Sequence, residues 1–128
     1  MDSEDRDIAT LRSFVLRKRR ERAEVLAAKL EKARADFDRI VAVVVSEFDP
    51  DAVYQWGSLM EGRHFQEISD IDLAVSGILD ARAFLRLCGR AQDLSGFPVH
   101  VVQMETIEPS YAASIKKRGR LVYERPVR

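Results

Sequence analysis

Two short stretches carry the side chains best suited to chemistry: Gly57-Ser58 and, after a spacer of eleven residues, Asp70-Ile71-Asp72. A glycine lets the backbone come close to a ligand, and N–H groups freed at a turn or helix start attract anions. Asp70 and Asp72 stand two apart in an apolar run that continues to Val75. Side chains alternate faces along a strand, so both carboxylates leave on the same side. Two carboxylates that close repel each other unless a positive charge lies between them. A hard divalent cation such as Mg2+, which prefers oxygen ligands, is the natural guest. A phosphate cradle beside paired metal-binding carboxylates is equipment for phosphoryl or nucleotidyl transfer. Alone, Gly-Ser is a common turn and Asp-x-Asp is more often a solvated strand end. Their order, each at a strand border, makes the signal specific.

Several elements must position these residues. Val53-Tyr54-Gln55-Trp56 reads as a short strand leading into the Gly57 turn. Leu59 to Glu61 begin a short helix, Gly62 to Ser69 form a loop, and Asp70 to Val75 form a second strand. Asp80 is a candidate N-cap for a helix running to about Leu94, with Phe84, Leu85, Leu87, Cys88 and Ala91 as its apolar face. After the break at Ser95-Gly96-Phe97-Pro98, Val99 to Gln103 form a third strand. Pro109-Ser110 opens a last helix, Gly119 is its expected C-terminal stop, and Leu121-Val122-Tyr123 is a final apolar segment.

Between Ile8 and Phe48 there is neither Gly nor Pro. Ala23, Leu26, Leu30, Ala33, Phe37, Ile40 and Val44 recur at helical spacing and predict one stripe that packs on the sheet. Ile8, Leu11 and Val15 belong to a different register, with a basic block from Arg17 to Arg22 after them. The pattern allows one long helix with two faces, or two helices joined near that block. Asp49-Pro50-Asp51 ends it.

With these elements in place, the central stretch resembles the minimal nucleotidyltransferase domain of the DNA polymerase beta superfamily. The residues that carry the resemblance are Gly57-Ser58, Gly62, and Ser69-Asp70-Ile71-Asp72-Leu73. The C-terminal run from Lys116 to Glu124 is similar as well, so the likeness spans about Phe37 to Glu124. It implies an α+β fold: a palm-like mixed sheet of three to four strands packed with helices, preceded by a long N-terminal helix. The expected division is a helical extension over 1–34 and a nucleotidyltransferase-like domain over 35–128. By this resemblance Gly57 and Ser58 hold the phosphates of a nucleoside triphosphate, ATP being the expected one, and Asp70 and Asp72 bind Mg2+. Arg63 is a candidate phosphate contact, although a loop arginine is as readily just solvated. The implied reaction moves AMP from the nucleotide to a hydroxyl acceptor. Larger members use extra domains to hold the acceptor. Here the acceptor surface is expected from a partner protein, by analogy with antitoxins that act on a paired helical toxin, or from a second copy docked through the N-terminal helix.

One position departs from the pattern. The family places a third acidic residue on the next long strand, and the matching residue here is His100, in Pro98-Val99-His100-Val101-Val102. Glu105 has the opposite strand parity and should face away. An imidazole there could be a metal ligand, better suited to Mn2+ or Zn2+ than to Mg2+. It could be the general base for the attacking hydroxyl. Or the site could be catalytically degraded, leaving a nucleotidyltransferase fold that serves as an interaction module.

Composition sets the remaining bounds. Charged residues make up 33% and hydrophobic ones 46% of 128 residues, as in an ordinary globular domain. Twenty-one basic and twenty-one acidic side chains balance, so overall charge gives no case for nucleic-acid binding. The basic block reads first as a solvated face with local ion pairs. The single cysteine, Cys88, cannot form an internal disulfide and is expected to be buried and inert. No apolar run approaches the ~20 residues of a membrane span, and no signal-peptide pattern is present, so a cytoplasmic location is expected.

Overall fold

In the computed structural model the N-terminal half is one unbroken helix, α1 (Ser3–Phe48), 46 residues long. The structure describes residues 2–61 and 70–127. The expected two registers do not become two faces of this helix: Ile8 and Leu26, like Val15 and Ala33, stand eighteen residues apart, which is five full turns, so both apolar stretches share one side. The Asp2 carboxylate caps it, accepting from the Asp5 N–H at 2.9 Å. It ends at Asp49, which takes the left-handed conformation (φ 50°) and donates its N–H to the Val45 carbonyl. Only the C-terminal part of α1 reaches the body. Leu26 and Leu30 are half-buried, and burial becomes complete at Ala33, Phe37, Ile40 and Val44.

The chain then builds a mixed four-stranded sheet from β1 (Ala52–Trp56), β2 (Ile71–Ser76), β3 (Val99–Gln103) and β4 (Arg120–Glu124), in the order β3-β2-β1-β4. β1 runs antiparallel to both neighbours, and β2 pairs with β3 in parallel. The parallel pairing needs a crossover, which α3 (Ala81–Asp93) supplies. Strand alternation divides the sheet. Val53, Ile71, Leu73 and Val75 face α1 and α3 in the larger apolar cluster. Ala74, Val102 and Met104 face Ile115 of α4 (Pro109–Arg118), with Tyr54 and Trp56 packed beside them. Polar ties among the described residues help fix α1 to the rest. The buried Asp36 accepts from the Ser95 hydroxyl at 2.8 Å, and Arg90 of α3 forks onto Glu47 at 3.2–3.3 Å.

Two local expectations are corrected, and a third holds for a different physical reason. Leu85 is 69% exposed. The buried face of α3 is formed by Leu87 and Ala91 with Ala83 and Phe84 beside them, and Leu85 lies too far round the helix to join it. Cys88 is only half-buried, although burial still pushes its thiol pKa up and keeps it protonated. Gly119 ends α4, but in an extended conformation (φ −77°) rather than the left-handed one that usually selects glycine. Its reason is space. A Cβ there would lie 2.5 Å from the Ile115 carbonyl oxygen and 2.8 Å from that of Gln55. Both are backbone atoms, one in the last turn of α4 and one in β1, and neither can yield without disturbing the helix end or the sheet.

Gly119→Ala is therefore expected to destabilise the fold by about 1–3 kcal/mol, the usual cost of overpacking, in urea unfolding. Gly89→Ala meets open space inside α3 and should instead stabilise by about 0.5–1 kcal/mol.

Candidate functional site

β2 starts at Ile71, so Asp70 stands just before the strand, exposed, and Asp72 is its second residue. Asp72 is held on both sides. Across the antiparallel pair its partner is Trp56, and across the parallel pair its partner is His100. The register thus brings the predicted third position beside the second aspartate. His100 Nδ1 lies 3.4 Å from Asp72 Oδ1. The imidazole is 54% exposed, so it is a surface group of the site face and not a packed core residue.

The other carboxylate oxygen faces the Gly57 turn. Gly57 adopts φ +85°, a conformation L side chains rarely take. A Cβ on Gly57 would sit 2.3 Å from Asp72 Oδ2. Glycine is thus required twice over, by backbone angle and by the approach of the carboxylate. Ser58, half-buried, opens α2 (Ser58–Glu61). Gly57, Ser58, Asp70, Asp72 and His100 therefore come together at one end of the sheet. Arg63, with Gly62 and Ser69, lies outside the described residues. Glu105 points elsewhere, accepting from the Gly77 N–H at 2.6 Å.

Asp72 is nearly buried, and burial is the first cause that raises its pKa above the ordinary aspartate value. The negative charge of Asp70 raises it further, while the neighbouring His100 opposes both. Two carboxylates in mutual repulsion, one of them poorly solvated, are a favourable place for a cation. Among the described residues no group of three or more His, Cys, Asp and Glu side chains is arranged to hold a metal ion.

Two aromatic neighbours join the site that the motifs did not assign to it. Trp56 packs edge-to-face against His100, ring centres 5.7 Å apart, and against Tyr111 of α4 at 5.8 Å. Burial, and then the charge of Asp72, raise the Tyr111 pKa. Trp56 could have been noticed as the residue preceding Gly57 on a strand. Tyr111 could not, because only the packing of α4 brings it near. Behind this wall a hollow of about 240 Å3 is lined by Trp56, Gly57, Met60, Tyr111, Ser114 and Arg118.

Residues 38–127 match the family model described as polymerase beta, nucleotidyltransferase. The chain belongs to that nucleotidyltransferase family. No curated protein matches it. Solved structures share the fold. A toxin–antitoxin crystal structure with AMP-PNP matches at TM-score 0.59 and 20% identity, over 70% of this chain and 73% of that one. A structure described as a minimal nucleotidyltransferase matches at TM-score 0.57 and 23% identity, over 70% of this chain and 92% of that one. The toxin–antitoxin pair MntA–HepT matches at TM-score 0.55 and 17% identity, over 72% and 73%. The nucleotidyltransferase fold, with its mixed sheet and long leading helix, is thus the one the sequence implied. Among the described residues no helix is long and apolar enough to cross a membrane.

A carboxyl whose pKa is raised on folding holds its proton more tightly in the native state. Its contribution favours the fold at acid pH and is lost as pH rises from the ordinary aspartate value through the raised one. Asp72→Asn removes that penalty. Its melting temperature should exceed that of the wild type at pH 7, and the gap should close toward pH 3. Equal melting curves at pH 7 would show that Asp72 carries no desolvation cost. Gly57→Ala should lower stability at all pH values, because it strains the backbone and displaces the carboxylate.

Proposed function

We propose that this domain transfers a nucleoside monophosphate, AMP from ATP in the first instance, to a hydroxyl group on a partner protein. The observation that carries the reading is the division of labour on Asp72. One oxygen faces the Gly57 turn, and the other faces His100. The turn N–H groups and the Ser58 hydroxyl receive the outer phosphates. Asp70 and Asp72 would hold Mg2+, or Mn2+ if the imidazole joins the donor set. The donor chemistry fits one such ion, since a cation relieves both the repulsion from Asp70 and the poor solvation of Asp72. When bound, the ion neutralises charge on the phosphate oxygens.

His100 supplies the proton acceptor. A carboxylate beside Nδ1 favours the tautomer with its proton there, which leaves the Nε2 lone pair free. The acceptor hydroxyl gives its proton to that nitrogen as its oxygen bonds to the α-phosphorus. The bond from the α-phosphorus to the bridging oxygen breaks in line, and pyrophosphate leaves. Trp56 packs against one side of the imidazole and is itself backed by Tyr111. The presence of toxin–antitoxin pairs among proteins of the same fold supports a protein acceptor.

His100 also supports a second reading, in which the missing third carboxylate leaves a site that binds nucleotide without turnover. Transfer of label from α-labelled ATP to candidate acceptor proteins distinguishes the two. Asp70→Asn/Asp72→Asn should abolish both transfer and metal-dependent nucleotide binding. His100→Ala should keep binding and lose about 10²–10⁴-fold in rate, the usual worth of a general base. If His100→Asp raises the rate instead, His100 is a defect rather than a base.

A further inference from the structure

The N-terminal half of α1 is unused by the site. Every residue from Asp2 to Val25 is exposed. Yet one stripe of this segment is ordered by chemistry. Glu4, Ile8, Leu11, Val15 and Arg19 follow at steps of three and four, which places them along one face. Ile8 and Leu11 are 61% and 62% exposed and Val15 is 37% exposed, with Arg12 and Leu16 flanking them. Acid dominates before the apolar centre, at Asp2, Glu4, Asp5 and Asp7. Base dominates after it, at Arg17, Lys18, Arg19, Arg20 and Arg22.

This order is self-complementary only when the direction is reversed. A two-fold axis between Leu11 and Arg12 sets Ile8 against Val15 and Glu4 against Arg19. Symmetry makes each contact occur twice. A parallel pair would instead oppose Glu4 to Glu4 and Arg19 to Arg19, which repels. The aliphatic stems of Arg12 and Arg19 can cover the edges of the apolar centre while their charges stay in water. Room remains too: roughly 6 Å of helix separates Arg22 from Leu26, the first half-buried residue, so the two bodies lie at opposite ends of the pair.

We propose that two copies of this chain associate through the 2–22 segments of α1, packed antiparallel about Leu11 and Arg12. The site on the sheet is left open in each copy, so the association is independent of the transfer reaction.

Sedimentation equilibrium of the full chain tests this. The expected mass approaches twice 14.6 kDa as concentration rises, and added salt weakens the association because charge pairs flank the contact. Leu11→Glu, at an exposed position, should leave the circular dichroism spectrum intact and the chain monomeric. Direction is read by cross-linking in a Cys88→Ser background. Ile8→Cys chains mixed with Val15→Cys chains should form several-fold more disulfide-linked dimer than either alone. In the antiparallel pair the two Ile8 positions are offset by about 10 Å along the axis, beyond disulfide reach. A monomer at every concentration, including one whose helix binds another protein instead, overturns the proposal. So does an unchanged dimer in Leu11→Glu, or a preference for like-with-like cross-links.

Discussion

The constraint on which the site depends is the placement of the Asp72 carboxylate inside a β-sheet. A carboxylate in that position loses water and is pushed toward its neutral form, and Asp70 adds repulsion. The surrounding structure answers with an imidazole at 3.4 Å on one side and a side-chain-free turn on the other. Neither is a local choice. His100 arrives because β3 pairs in parallel with β2, and Gly57 arrives because β1 pairs antiparallel with it. The central strand thus joins a stability cost to a chemical capacity, a conflict characteristic of functional positions.

The rest of the fold can be understood as support for that strand. Ile71, Leu73 and Val75 alternate with Asp72 and Ala74, so the strand that presents the carboxylate is also anchored by the largest apolar cluster. Phe37, Ile40 and Val44 of α1, with Leu87 and Ala91 of α3, close one face completely. α4 covers only part of the other face, which leaves Asp72 and His100 at the open end. The C-terminus is tied back at the opposite end of β1, where Arg125 pairs with Asp51 at 3.0 Å and also bonds the Asp49 carbonyl. The open end carries the chemistry and the closed end carries the ties.

Helix α1 serves two environments in succession. Its C-terminal third is a core element, and its N-terminal half meets water on all sides. One apolar side runs through both parts, since Ile8 and Leu26 stand eighteen residues and five turns apart, and the body covers that side completely only from Ala33 onward. A helix with no glycine or proline can run through both without a break.

Much of this was legible in the residues themselves. The strands, the Asp80 cap, the stop at Asp49-Pro50 and the pairing of Gly57-Ser58 with Asp70 and Asp72 follow from periodicity, capping and turn chemistry, all of which act between near neighbours. The role of His100 as the residue facing Asp72 was legible through strand parity together with the family resemblance. Other features were decided only by tertiary contacts. Trp56 and Tyr111 meet because α4 folds onto the sheet, and Cys88 lies at the margin of a face whose width is set by α1, with Leu85 beyond it. Gly119 is needed because two carbonyl oxygens from separate elements converge on it. Local sequence governs backbone angles and the spacing of apolar groups. Distances between groups far apart in the chain exist only after the layers have packed, and the burial that shifts the Asp72 pKa is a property of those layers.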